Sequence, residues 1–234
     1  MTGSAGHPSL RVDPGYDTPE YRSTSVRAPK RALVPLPPGT ADLSGPVFGD
    51  ADVTPGDADL TRGHEGEPIG ERINVSGRLL DSDGKPIAGQ LVELWQANSA
   101  GRYLHPVDQH PAPLDPNFTG AGRYITGRDG GYRFVTIKPG AYPWSNQPNA
   151  WRPAHLHFSA FGRVFTERLV TQMYFPGDPL LADDAIYNSV RDERARLRLV
   201  SSFEWATTEE DWALGYRFDI VVGGHLATPT DGQS

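Results

Sequence analysis

Cysteine is absent from the 234 residues. That removes disulfides, thiolate ligation of zinc or iron–sulfur clusters, and cysteine nucleophiles in one step. Any metal held by this chain must therefore be bound by His, Asp, Glu or Tyr. Basic blocks are absent too: 22 Lys and Arg stand against 29 Asp and Glu, a formal charge of −7, and offer no positive field to a nucleic acid. No apolar run approaches the ~18 residues of a membrane span. The first seven residues, Met1 to His7, have neither the basic nor the apolar region of a signal peptide. A soluble cytoplasmic chain without membrane contact is expected. Long regular helices are excluded by an excess: 26 Gly and 22 Pro make up about a fifth of the chain. With 37% hydrophobic and 10% aromatic residues, the remainder can still fill a core.

Ten of the 22 prolines fall within residues 1–70, which also carry Pro35-Leu36-Pro37-Pro38-Gly39 and little periodic hydrophobicity. This stretch reads as an extended arm packed on another surface, since Leu33, Val34, Leu36, Val47 and Phe48 need cover that the arm itself does not supply. From residue 72 the pattern changes to short alternating runs. Ile73, Val75, Gly77 and Leu79 share one face at period 2, a turn follows over 81–86, and a second run covers 91–95. Further runs lie at 123–126, 132–137, 154–160, 168–175 and 216–222. Short helical turns are expected at 178–185 and 207–212, with 192–199 open between a charged helix and an edge strand. The fold class is all-β: a β-sandwich of mainly antiparallel strands with long loops and an extended Pro-rich N-terminal arm. The division expected is an extended arm over 1–70 packing on a partner subunit and a catalytic sandwich with the metal site over 71–234.

The most informative stretch is Trp151-Arg152-Pro153-Ala154-His155-Leu156-His157-Phe158. On a strand, His155 and His157 point to one face, and Leu156 and Phe158 to the other. Two imidazoles side by side can converge on one ion. The same spacing also suits a solvent-facing pair on a sandwich strand. Tyr142 and Tyr103 follow strands in Gly-bearing loops, where function gathers. Two phenolates and two imidazoles would leave a ferric ion with a net charge of about +1 and room for a fifth ligand. Spacing alone, however, does not select these two tyrosines from the nine present. An arginine beside Pro153 on a sandwich rim also suits a surface ion pair, but the functional reading of Arg152 is preferred, while His64, His105, His110 and His225 read as solvated loop residues.

Several runs carry a resemblance: Leu94-Trp95-Gln96-Ala97-Asn98, Gly101-Arg102-Tyr103, Ala112-Pro113-Leu114-Asp115-Pro116-Asn117-Phe118, Ile137-Lys138-Pro139-Gly140, Tyr142-Pro143-Trp144, the His155 segment, and Gln172-Met173-Tyr174-Phe175. In order over roughly 17–222, they resemble the intradiol ring-cleaving dioxygenases. Thr18-Pro19-Glu20-Tyr21 and Arg31-Ala32-Leu33-Val34 resemble the arm of the branch in which an iron-bearing chain pairs with a homologous, catalytically silent α subunit.

The resemblance implies a non-haem Fe(III), Fe(3+), bound by Tyr103, Tyr142, His155 and His157 with solvent as fifth ligand. Tyr142 would be the ligand displaced by substrate and the acceptor of its proton. It further implies Arg152 and Gln172 as catalytic residues, and Tyr21, Trp95, Trp144, Arg152 and Ile186 as substrate-binding residues, with Tyr21 offered to the ring carboxylate. The implied reaction inserts both atoms of O2 into protocatechuate (3,4-dihydroxybenzoate) to give 3-carboxy-cis,cis-muconate, in an αβ protomer of a higher oligomer. The tail beyond Ser189 diverges from the pattern. Rival readings are a catechol or hydroxyquinol 1,2-dioxygenase, a cupin-type site, which would want a Glu where Phe161 and Gly162 stand, and a transthyretin-like sandwich without catalysis.

Overall fold

The computed structural model describes residues 12–32, 53–162 and 168–231. Eleven strands are found among them: β1 (Arg72–Asp81), β2 (Leu91–Trp95), β3 (Ala121–Ile125), β4 (Gly131–Ile137), β5 (Tyr142–Pro143), β6 (Trp151–Arg152), β7 (His155–Phe161), β8 (Arg168–Tyr174), β9 (Ser202–Phe203), β10 (Leu214–Arg217) and β11 (Ile220–Val222). One sheet runs β11-β1-β10-β9 with β4 also on β1, the second runs β3-β2-β7-β8, and β5 and β6 form a separate hairpin. All pairings are antiparallel except those of β1 with β10 and β11. The expected run over 216–222 is divided: β10 aligns with Ile73–Ser76 and β11 with Leu79–Asp81. At the break between them, Gly77 lies so close to the Phe218 carbonyl oxygen that a Cβ would meet it at 1.8 Å.

The two sheets face each other through the residues that period 2 selects. Ile73, Val75, Leu79 and Phe134 come from one sheet, and Val92, Leu94, Leu156 and Phe158 from the other; none is more than 1% exposed. Strand β7 is central, with β2 and β8 on its flanks, and every one of its seven residues is buried. Its inward set fills the core, so its other face, with His155, His157 and Ser159, is covered by loops and not by water. Helical structure is confined to short pieces: α1 (Thr24–Arg27), α2 (Ala185–Ser189), α3 (Glu193–Leu197) and 3-10 turns at Pro55–Ala58, Pro179–Ala182 and Trp205–Thr207. The ambiguous 192–199 stretch is thus helical, with the Asp192 carboxylate accepting from Ala195 N at its start. The helical turn expected over 207–212 falls earlier, at Trp205–Thr207.

The described parts of the arm pack on this same chain. Ala58 and Leu60 join the main core, and Leu60 N donates to the Val135 carbonyl at 2.9 Å, so residues 53–70 belong with the sandwich and not with an independent arm. Further upstream, Asn146 grips the chain by accepting from Arg22 N and donating to the Glu20 carbonyl, and Val12 packs beside Tyr174 and Tyr187. Leu33, Val34, Leu36, Val47 and Phe48 lie outside the described residues.

Candidate metal centre

Strand register assembles the floor of the site. His157 on β7 is flanked by Trp95 on β2 and Gln172 on β8, while His155 faces Tyr174. Trp95 stacks on the His157 ring, with centroids 5.0 Å apart and planes 8° from parallel. The tyrosines arrive from loops. Asn98 shapes the first loop by accepting from Ala100 N and Arg102 N, and the Asp108 carboxylate holds Tyr103 N at 2.7 Å. Gly101 in that loop has φ +77°, and a Cβ there would meet the Ala141 carbonyl oxygen at 2.4 Å, so only glycine lets the two tyrosine-bearing segments approach. The β5–β6 hairpin supplies Tyr142 and sets it opposite Arg152.

Four donor atoms converge as a result. Tyr103 Oη lies 3.0 Å from His157 Nε2, and Tyr142 Oη lies 3.4 Å from His155 Nε2. The tyrosine rings meet edge to face at 5.6 Å, and the imidazoles at 4.9 Å. The histidines are 2% and 7% exposed, which removes the solvent-facing reading of the pair. Burial, followed by the Arg152 guanidinium, holds His157 neutral, down to about 3. His155 is likewise pushed well below the ordinary imidazole value by burial, Arg152 and His157. Burial and the neighbouring Tyr142 raise the Tyr103 phenol, so this chain alone does not ionise it. Two neutral imidazoles and two phenols grouped without a charge of their own suit a hard cation, whose field would convert phenol to phenolate. Among the described residues no group of three or more His, Cys, Asp or Glu is placed to hold a metal, so tyrosines are needed to complete a four-donor set.

Above this cluster opens a cavity of about 1050 Å³ whose wall includes Trp95, Tyr103, Tyr142, Trp144, Arg152 and Ile186. Arg152 is buried and fully engaged on one side: Nε donates to Asp184 Oδ2 at 2.5 Å, and Nη2 to Gln172 Oε1 at 2.5 Å and to Tyr174 Oη at 3.1 Å. Burial alone would lower its pKa, but Tyr174, Asp184 and Tyr142 outweigh that and keep it a cation. The surface ion-pair reading of Arg152 is therefore replaced by a buried one. Of the other expected residues, Gln172 sits behind the cavity as a partner of Arg152. Tyr21 is 3% exposed and does not line the wall; it packs edge-on against Trp144 at 5.3 Å.

Some participants were not evident in the sequence. His105 and His110, expected as solvated loop residues, line the cavity. Tyr174 shares the face of Gln172 by period 2, a signal that was available. Asp184 carries the cap of α2, its Oδ1 accepting from Tyr187 N at 2.7 Å, and an Asp immediately before such a helix was a readable cue. Asp231, 4.0 Å from His157 Nδ1, had none.

The sandwich, the buried His-x-His pair on the loop-covered face of β7 and the two loop tyrosines bring two imidazoles and two phenols together, and comparison gives the class. A family model described as "Dioxygenase" matches residues 43–224. The chain belongs to this family, the intradiol ring-cleaving dioxygenases expected from its motifs. Residues 4–39 match a second model, "Protocatechuate 3,4-dioxygenase beta subunit N terminal". The chain is 60% identical over 220 residues to the protocatechuate 3,4-dioxygenase beta chain of Burkholderia cepacia, covering 93% of each. Among solved structures, the dioxygenase domain of a dioxygenase and carbohydrate-binding fusion from Streptomyces sp. SirexAA-E matches with a TM-score of 0.51 and 27% identity, over 71% of this chain and 87% of that one. The fold is also that of 3-chlorocatechol 1,2-dioxygenase from Rhodococcus opacus 1CP, with a TM-score of 0.56 and 24% identity over 77% of this chain and 70% of that one.

Proposed function

We propose that this chain is the iron-bearing, β-type partner in a protocatechuate 3,4-dioxygenase, with a homologous α chain as its companion. The observation that carries the reading is the convergence of Tyr103, Tyr142, His155 and His157 beside a cavity that Trp95, Trp144 and Ile186 also line. When bound there by these four side chains, a ferric ion supplies the Lewis acidity that keeps a catechol ionised and makes its ring carbon reactive toward O2. Balance requires no outside reductant: both oxygen atoms end in the product, and the bond between the two hydroxyl-bearing carbons breaks.

The chain's own groups have distinct tasks in this reading. Tyr142, half-buried on the cavity wall, would as a phenolate be the base for a proton from a substrate hydroxyl. Tyr103 stays in place, because Asp108 fixes its backbone and its hydroxyl lies against His157. Arg152 has Nε and Nη2 committed to Asp184, Gln172 and Tyr174. Nη1 is left, among the described residues, to meet negative charge developing on the ring. Trp95, Trp144 and Ile186 sandwich the aromatic ring and exclude water, and Tyr21 acts through Trp144, which it backs. His105 and His110 line the same cavity and are the imidazoles available there to a ring carboxylate. The 60% identity to a protocatechuate enzyme favours this substrate over catechol or hydroxyquinol.

The test is purification with the companion chain, an iron count, a visible spectrum and O2 uptake with protocatechuate, catechol and hydroxyquinol. Iron near one per chain, a tyrosinate-to-iron band and preference for protocatechuate are expected. A colourless zinc protein, or a preference for unsubstituted catechol, would overturn the proposal.

A further inference from the structure

The two imidazoles of the centre are anchored by different means. His155 Nδ1 lies 2.7 Å from the Pro153 carbonyl oxygen, so its N–H donates to its own strand and Nε2 is left as a lone pair. Among the described residues no backbone carbonyl serves His157. Its Nε2 faces Tyr103 Oη, and its Nδ1 is buried without a hydrogen-bond partner. The carboxylate that faces Nδ1 is Asp231, with Oδ2 at 4.0 Å.

Asp231 is held in that position. Its backbone N donates to the Val170 carbonyl at 3.0 Å, Thr230 Oγ1 donates to the same carbonyl, and Thr171 Oγ1 donates to the Pro229 carbonyl at 2.6 Å. These bonds lay residues 229–231 along β8. The side chain is 1% exposed. Its Oδ2 also faces Gln172 Nε2 at 3.5 Å. That amide is oriented from the other end, because Gln172 Oε1 accepts from both Arg152 Nη2 and Tyr174 Oη and so must turn its NH2 toward Asp231. The tail is tied to the N-terminal segment as well, through Thr230 N and Asp13 Oδ1 at 3.1 Å.

We infer that Asp231 is a positioning residue of the metal centre: it accepts the Nδ1–H of His157, fixes the ring's tautomer and aim, and makes the C-terminal tail part of the site. The inference rests on the ferric reading above. A metal-bound imidazole needs an acceptor for its other N–H, usually a carboxylate, carbonyl or water, and the partner raises the basicity of the coordinating nitrogen. Closing the contact to hydrogen-bond length takes a movement of about 1 Å, within the rotation of one imidazole ring.

The test uses the iron-loaded full chain with its companion, as parent, Asp231→Ala, Asp231→Asn and Thr228→Val. Thr228 ties the same tail by accepting from Val221 N at 3.0 Å but has no contact with the centre. Three quantities are read: the rate of iron release to an external chelator, the position of the tyrosinate-to-iron band, and the melting temperature of the metal-free protein. Asp231→Ala should release iron about 10- to 100-fold faster with a shifted band, Asp231→Asn less so, and Thr228→Val should lower the melting temperature while releasing iron at the parent rate. Release from Asp231→Ala at the parent rate would overturn the inference. So would equal acceleration in Thr228→Val at an equal loss of melting temperature, which marks a structural tail. A parent that holds no iron would overturn the functional proposal itself, and this inference with it.

Discussion

Replacing Asp184 by alanine isolates the consequence of placing a cation beneath the cavity. In the folded chain Arg152 and Asp184 are 3% and 0% exposed and meet at 2.5 Å. Removing the carboxylate leaves a guanidinium with no counter-charge in a site where Gln172 and Tyr174 offer only neutral oxygens. Breaking one partner of a buried pair costs about 3–5 kcal/mol. Asp184 also caps α2 through Tyr187 N, a contact whose loss costs about 0.5–2 kcal/mol by itself. The two losses share one side chain and do not simply add, so about 4 kcal/mol is the expected destabilisation. In a chain of this size that corresponds to a melting point lowered by roughly 8–16 °C. Asp184→Asn separates the parts, since it keeps an acceptor for the cap and removes the charge; it should lose most of the stability while α2 persists. The double variant Asp184→Leu with Arg152→Met, which leaves no unpaired charge, should recover more than half of the loss and remain inactive. Urea unfolding of the metal-free protein measures each value. An Asp184→Ala variant within 1 kcal/mol of the parent would refute the argument, because it would mean that water or another group already satisfies Arg152.

Further outcomes follow from the same geometry. Tyr103→Phe and Tyr142→Phe should each alter the visible band, and only Tyr142→Phe should slow substrate chelation in stopped-flow mixing while retaining some iron; parent-rate chelation would contradict its part as proton acceptor. His157 is neutral in the fold down to about 3 but takes a proton near 6.5 when unfolded. The metal-free protein should thus be at full stability above about pH 6.5 and lose it as the pH falls toward 3, by up to ~1.4 kcal/mol per pH unit from this group, as read by denaturation at stepped pH. Phe158→Ala, which empties the central strand's contact with Phe134 and Phe218, should cost about 3–5 kcal/mol in urea unfolding. Gly77→Ala should unfold or displace β11, since its Cβ would overlap the Phe218 carbonyl, and amide exchange along 218–222 would report it.

The sandwich was legible because side-chain alternation is a local property. Ile73, Val75 and Leu79 declare one face of β1 without reference to the rest of the chain, and the same rule put His155 and His157 together on β7. The motifs around Tyr103, Tyr142 and the His pair carried the family likeness, and with it the class of chemistry. Burial was a different matter. His-x-His is equally at home in water or under a loop, and only the placement of β2 and β8 on either side of β7, with the 103–111 loop and the β5–β6 hairpin above, removed it from solvent. Selecting two tyrosines from nine needed contacts that span 54 residues in one case and 13 in the other. Asp184 and Asp231 reach their partners across 32 and 59 residues, and Tyr21 was drawn behind Trp144 instead of to the cavity rim. Pattern along the chain fixes which way a side chain faces; what it then meets depends on segments brought there by the closing of the two sheets, and that information is held in no window of the sequence.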